Sequence, residues 1–136
     1  MAQTGLPTAV RCLISERIES VQQLEILLLL RAAPDKEWAP PEVARALVTQ
    51  VESSQEWLEE MTRTRLLVSD GRVYRYAPVS AELEDSVDGL AESYAKYRVA
   101  VIALIFSKPS ERVRTFSDAF RIRDGGRQRE RRRSAR

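Results

Sequence analysis

Between Ile14 and Leu30, apolar side chains return every three or four positions, at Ile14, Ile18, Val21, Leu24, Leu27 and Leu28. From Leu24 to Leu30 only Glu25 interrupts them. A helix that is apolar on almost every side belongs at the centre of a fold. The spacing predicts one helix from Ser15 to about Ala33, with Glu16, Glu19 and Glu25 keeping its early turns wet. Pro34 ends it, because proline disfavours helical geometry at the residue before it. Residues 1–13, which include Gly5 and Pro7, read as a flexible N-terminus.

Asp35–Ala39 reads as a loop, with Trp38 covering the edge of the core. Pro40-Pro41-Glu42 then opens a short helix, since proline suits a first turn and a carboxylate suits the positive helix end. Val43, Ala44, Leu47 and Val48 form its inner face, and Ala44 and Ala46 are small enough for close helix packing. About four residues later, Ser53 and Glu56 match the Ser-x-x-Glu capping box that starts a helix. Trp57, Leu58 and Met61 give this second helix a buried stripe.

Leu66–Ser69 reads as a strand and Arg72–Tyr76 as its return, closed by Pro78. Asp70-Gly71 between them predicts a two-residue type I′ turn. Arg72, Tyr74 and Tyr76 fall on one face of the return strand, Val73 and Arg75 on the other. The tyrosines read as half-buried packing residues whose hydroxyls reach water.

From Ser80 to about Phe106 a single long helix is expected. Leu83, Val87, Leu90, Tyr94, Tyr97, Val101 and Leu104 form a heptad seam along it, with Gly89 the weak link beside it. That seam can pack on the domain's own first helix or against a second copy. It outlasts what one short domain needs, which points to a homodimer. Beyond Arg98 the opposite side is also apolar, through Ile102, Ile105 and Phe106, and so expects a docking helix. Ser110 opens a short helix with Val113, Phe116 and Phe120 in one stripe, after Ser107-Lys108-Pro109 has broken the long one.

Helix, tight turn, helix and hairpin, in that order, predict a mainly α fold with a small β-hairpin: a winged helix-turn-helix domain followed by a long helix and a short docking helix. Residues 14–79 form the winged-helix domain, 80–123 a C-terminal helical segment for dimerisation or docking, and 124–136 a disordered arginine-rich tail.

The second helix is where such a fold reads DNA, by offering polar and basic side chains to base edges. Its expected exposed positions are Ser54, Gln55, Glu56, Glu59, Glu60, Arg63 and Thr64. Three carboxylates facing a duplex meet repulsion from the phosphates that dominate affinity. Two functional readings follow. One is a DNA-binding transcriptional regulator, contacting its site through Ser54, Gln55, Arg63, the wing residues Arg72 and Arg75, and tail residues Arg127, Arg129, Arg131, Arg132 and Arg133. The other is a protein-interaction adaptor in which Glu56, Glu59 and Glu60 dock a basic surface on a partner. The wing arginines serve the first reading by meeting a groove or phosphate, and they equally suit a solvated hairpin edge.

Charge sharpens the choice. Residues 1–120 hold 14 Lys and Arg against 18 Asp and Glu, a net −4, whereas residues 121–136 hold eight arginines against Asp124 and Glu130, a net +6. The tail fits nonspecific nucleic-acid binding by counterion release, or screening of the acidic body. The chain has no histidine, so the usual general base is missing, and there is no phosphate loop or nucleophile elbow; a non-enzyme without cofactor is expected. Cys12 is the only cysteine and is expected to be buried beside Val10, Leu13 and Ile14. One cysteine and no histidine also leave too few ligands for a zinc site. The start lacks the basic-then-apolar order of a signal peptide, and no apolar run approaches the roughly 20 residues of a membrane span, so a cytoplasmic protein is expected.

Several stretches together resemble a bacterial group of small winged-helix proteins usually described as transcriptional regulators. They are Ile18-Glu19-Ser20-Val21-Gln22-Gln23-Leu24-Glu25, Val43-Ala44-Arg45-Ala46-Leu47, the Gly71–Tyr76 wing, Arg98-Val99-Ala100-Val101-Ile102, Leu104-Ile105-Phe106-Ser107-Lys108-Pro109 and Phe116-Ser117-Asp118-Ala119-Phe120-Arg121. The resemblance spans about residues 14–123. It implies the fold and a regulatory role, and brings no catalytic or ligand residues. The layout is more distantly similar to MarR-like and PadR-like dimeric repressors.

Overall fold

The structure, a computed structural model, describes residues 6–107. Among them are six helices and one two-stranded antiparallel sheet: α1 (Thr8–Arg17), α2 (Val21–Ala32), α3 (Pro40–Leu47), α4 (Val51–Arg63), β1 (Leu67–Ser69), β2 (Tyr74–Tyr76), α5 (Ala81–Lys96) and α6 (Arg98–Ser107). The mainly helical fold with a small hairpin is as expected. The docking helix after Ser110 and the tail lie outside the described residues.

The single helix expected from Ser15 to Ala33 is two helices. Ser20 caps the second, its hydroxyl accepting from the Gln23 amide at 3.0 Å. The buried Gln23 carboxamide bridges the break, donating to the Arg17 carbonyl and accepting from the Glu19 amide, both at 2.7 Å. These bonds satisfy backbone groups that a continuous helix would have paired internally.

The flexible reading of residues 1–13 fails from Thr8 onward, because α1 buries Val10 and Leu13 in the core beside Ile14. Its outer face carries Cys12, which is exposed rather than buried, since it points away from the face that Val10, Leu13 and Ile14 share. α1 packs along α5, where a Cβ on Gly89 would lie 3.1 Å from Val10 Cγ2. The glycine that weakens α5 in sequence is thus the point where α1 comes close.

At α3, Glu42 acts as expected: its carboxylate accepts from the Ala39 amide at 3.3 Å and from Lys36 Nζ at 2.7 Å. Val43 and Ala44 are buried. Val48, expected on the inner face, instead stands 91% exposed in the left-handed region with φ +54°. There it reverses the chain, with the Val48 and Thr49 amides both donating to the Ala44 carbonyl. The turn is so tight that Gln50 rather than Ser53 is the N-cap and α4 starts at Val51, three residues earlier than expected. Ser53 is therefore inside the first turn, and its capping box does not form. Its hydroxyl donates to the Gln50 carbonyl at 3.3 Å instead.

β1 and β2 pair Leu67 with Tyr76, Val68 with Arg75 and Ser69 with Tyr74. That register leaves a four-residue loop, Asp70–Val73, in place of the two-residue turn. Asp70 Oδ1 accepts from the Arg72 and Val73 amides at 2.9 and 3.0 Å, replacing ladder bonds these amides would otherwise make, and only Gly71 takes positive φ. Trp38 exchanges two 2.8 Å backbone hydrogen bonds with Tyr74, adding a one-residue bridge to β2. Tyr74 and Tyr76 are buried more deeply than expected.

The long helix from Ser80 also divides. Tyr97 leaves helical geometry between α5 and α6, although its amide still reaches the Ser93 carbonyl. Glu25 of α2 holds this junction: it accepts from the Tyr94 hydroxyl at 3.2 Å and pairs with Arg98 at 3.6 Å, while Arg98 stacks over the Tyr94 ring at 4.7 Å. Leu83, Val87, Leu90, Tyr94 and Val101 of the seam are buried in the molecule's own core. The kink re-phases the remainder. Tyr97 is 44% exposed, Leu104 is only partly buried, and Ile105 takes the inner position. One contact unit runs unbroken to Ile105, so α5 belongs to the same body as α1–α4 and the hairpin.

Candidate interaction surface

α4 is amphipathic because its apolar residues return at helical spacing. Trp57, Leu58 and Met61 face the core and are joined there by Ser54, which is fully buried. Ser54 was expected among the exposed contacts. Its Cα lies one turn before Leu58, on the same inward stripe, so it reaches no ligand. Its hydroxyl has no hydrogen-bond partner among the described residues.

The opposite face is solvent-exposed and acidic. Glu52, Gln55, Glu56 and Glu59 all lie on it, and the only bond that the structure gives their side chains with one another joins Gln55 Nε2 to Glu59 Oε2 at 3.1 Å. None of Glu52, Glu56 and Glu59 has an ion pair among the described residues. Glu60 is only partly exposed and is committed to Arg63, at 2.6 Å. That pair raises the Arg63 guanidinium above its ordinary range, through the hydrogen bond and charge of Glu60. Of the two arginines expected at the far end of α4, Arg63 is paired locally with Glu60, and Arg65, just beyond the helix, is exposed.

Three bonds fix where this face points. Gln22 Nε2 on α2 donates to Thr49 Oγ1 and Ser53 Oγ, both at 2.9 Å, and so clamps the α3–α4 turn. At the other end, Arg17 Nη1 donates to the Thr64 carbonyl, placing a cation at the negative end of α4. Neither contact was anticipated. Gln22 reads in sequence as one more polar position on α2, and its partners lie about thirty residues away.

On the hairpin, Arg72 is exposed in the loop and Arg75 partly buried on the outer side of β2, opposite Val68. Asp70 sits beside them, and its carboxyl is held below its ordinary range by the backbone bonds from Arg72 and Val73. The tail arginines Arg127, Arg129, Arg131, Arg132 and Arg133 lie outside the described residues. On α6, Val99 and Phe106 are 80% and 76% exposed, a second apolar face that the seam did not include.

No group of three metal-ligating side chains occurs among the described residues, and no helix among them is long and apolar enough to cross a membrane. No protein-family model, curated protein or solved structure matches this chain.

Proposed function

We propose that the chain is a cytoplasmic, non-catalytic binding module of the winged helix-turn-helix type, and that its second helix docks a basic surface on a partner protein. The winged reading is supported by the order α3, three-residue turn, α4 and hairpin, with Trp38 adding a bridge to the hairpin's second strand. The observation that carries the choice of partner is the exposed face of α4. Glu52, Glu56 and Glu59 stand there without an ion pair among the described residues, where a duplex reader needs donors and positive charge. Exposed carboxylates keep their hydration until a cation replaces it, so they favour a Lys- or Arg-rich surface and steer its approach.

DNA binding, as a transcriptional regulator, remains the second reading, favoured by Arg72 at the hairpin tip and the net positive charge of residues 121–136. In it the wing and tail make phosphate contacts, and Gln55 is the remaining polar group of α4 able to meet a base edge.

Self-association as a homodimer takes a different form from the sequence expectation. Leu83, Val87, Leu90, Tyr94 and Val101 are already in the core, so a second copy would cover Val99 and Phe106 of α6.

A photo-crosslinking residue replacing Gln55 in living cells tests the main proposal. Protein adducts that disappear when Glu56→Lys and Glu59→Lys are added are the expected result. Adducts to DNA would overturn it in favour of the second reading.

A further inference from the structure

Val48 is a poor residue for the turn it makes. Its backbone lies in the left-handed region, at φ +54° and ψ +58°. A β-branched side chain is crowded there, and glycine or asparagine is the ordinary choice. Burial does not offset the strain, because the isopropyl group is 91% exposed and adds almost nothing to the core. Neither the backbone nor the interior therefore favours valine at this position. Strain retained on the surface points to a side chain that acts outside the fold.

Val51, the first residue of α4, is also exposed. The two valines stand at the N-terminal end of the acidic face, directly before Glu52. From there Glu52, Glu56 and Glu59 extend over about 10 Å of helix. On the other side of the valines is Arg45 of α3, exposed and three residues before Val48. A cation brought to the valine end meets that like charge, whereas an uncharged apolar group does not. The surface thus changes character along its length, apolar beside Arg45 and acidic along α4.

We infer that the partner of α4 is a protein segment with the matching order: an aliphatic or aromatic side chain that covers Val48 and Val51, then lysines or arginines that meet Glu52, Glu56 and Glu59. The inference rests on the acidic-face reading and adds a direction to it. Exposed ion pairs are individually weak and screened by salt, so a basic segment held by them alone would slide along α4. An apolar contact survives salt and pins one register. Gln22 holds the turn that carries Val48 in place against α4, through Thr49 and Ser53.

The test titrates the full-length protein with three short peptides of lysine and arginine, followed by the methyl resonances of its valines. One peptide carries a leucine near its N-terminus, one carries it near its C-terminus, and the third has serine in place of leucine. At least one leucine peptide should bind about fivefold more tightly than the serine peptide and shift the Val48 methyl signals. Val48→Gly should abolish that preference while its melting temperature equals or exceeds that of the wild type, since glycine relieves the backbone. Equal affinity for leucine and serine peptides would overturn the inference and leave the acidic-face reading standing, as would a preference that persists in Val48→Gly. Binding by none of the peptides would sink both. Val48 signals that move with protein concentration alone would assign the surface to a second copy and overturn the inference as well.

Discussion

Gln22 on α2 and Ser53 on α4 are joined side chain to side chain at 2.9 Å, and the same carboxamide nitrogen reaches Thr49 at 2.9 Å. One residue of the central helix therefore sets the register of the α3–α4 turn and the direction of the acidic face beyond it. Gln22→Ala removes both bonds and should lower stability by about 1–2 kcal/mol. Urea denaturation measures the loss, and amide exchange at Thr49–Ser53 should accelerate more than exchange in α5. Unchanged exchange in that turn would show that Gln22 does not hold it.

α1 is part of the core. Leu13→Ala should destabilise the fold by about 2–4 kcal/mol, the ordinary result of emptying a well-packed apolar site. Were the segment a frayed end, the substitution would leave the denaturation midpoint where it was.

Ser54 buries a hydroxyl in the core with no hydrogen-bond partner among the described residues. Ser54→Ala should leave stability unchanged or raise it by up to about 1 kcal/mol, because it removes a desolvated group and improves helix propensity. Partner binding should be unaffected. A loss of binding with the fold intact would return Ser54 to the interaction surface.

The sequence made the element types legible wherever apolar spacing was regular. α3, the inward stripe of α4, the two strands and the inner residues of α5 can all be read from it. It concealed the helix breaks at Ile18–Ser20 and Tyr97, because the apolar rhythm runs straight through both. What breaks the chain there is hydrogen bonding by Ser20 and Gln23, and the grip of Glu25 on Tyr94 and Arg98. Ser54 misled because a serine near a helix start suits solvent as well as a core. The acidity of α4 was plain from composition. That Glu60 is committed to Arg63 while Glu52, Glu56 and Glu59 are not required the structure.

High pH should weaken the fold through its buried phenols. Burial, reinforced by Asp88, pushes the Tyr76 hydroxyl from 10.0 up to about 12, and burial raises Tyr74 and Tyr94 in the same direction. The folded state thus prefers the neutral phenol. The corresponding stability is complete below pH 10, the ordinary value, and is lost as pH climbs from there through about 12. Stability measured across this window should fall, and Tyr76→Phe should shallow the decline. Identical pH profiles for variant and wild type would contradict the assignment.

The target of α4 is decided most directly by titrating the full-length protein and its Glu52→Gln, Glu56→Gln, Glu59→Gln variant in parallel with a short Lys- and Arg-rich peptide and a DNA duplex at low salt. If the face docks a basic partner, the variant should lose about tenfold in peptide affinity, the summed effect of three exposed charge contacts. Its duplex affinity should rise only slightly, through reduced long-range repulsion at low salt. Undiminished peptide binding together with markedly tighter duplex binding would mean that α4 faces DNA, and would contradict the proposal.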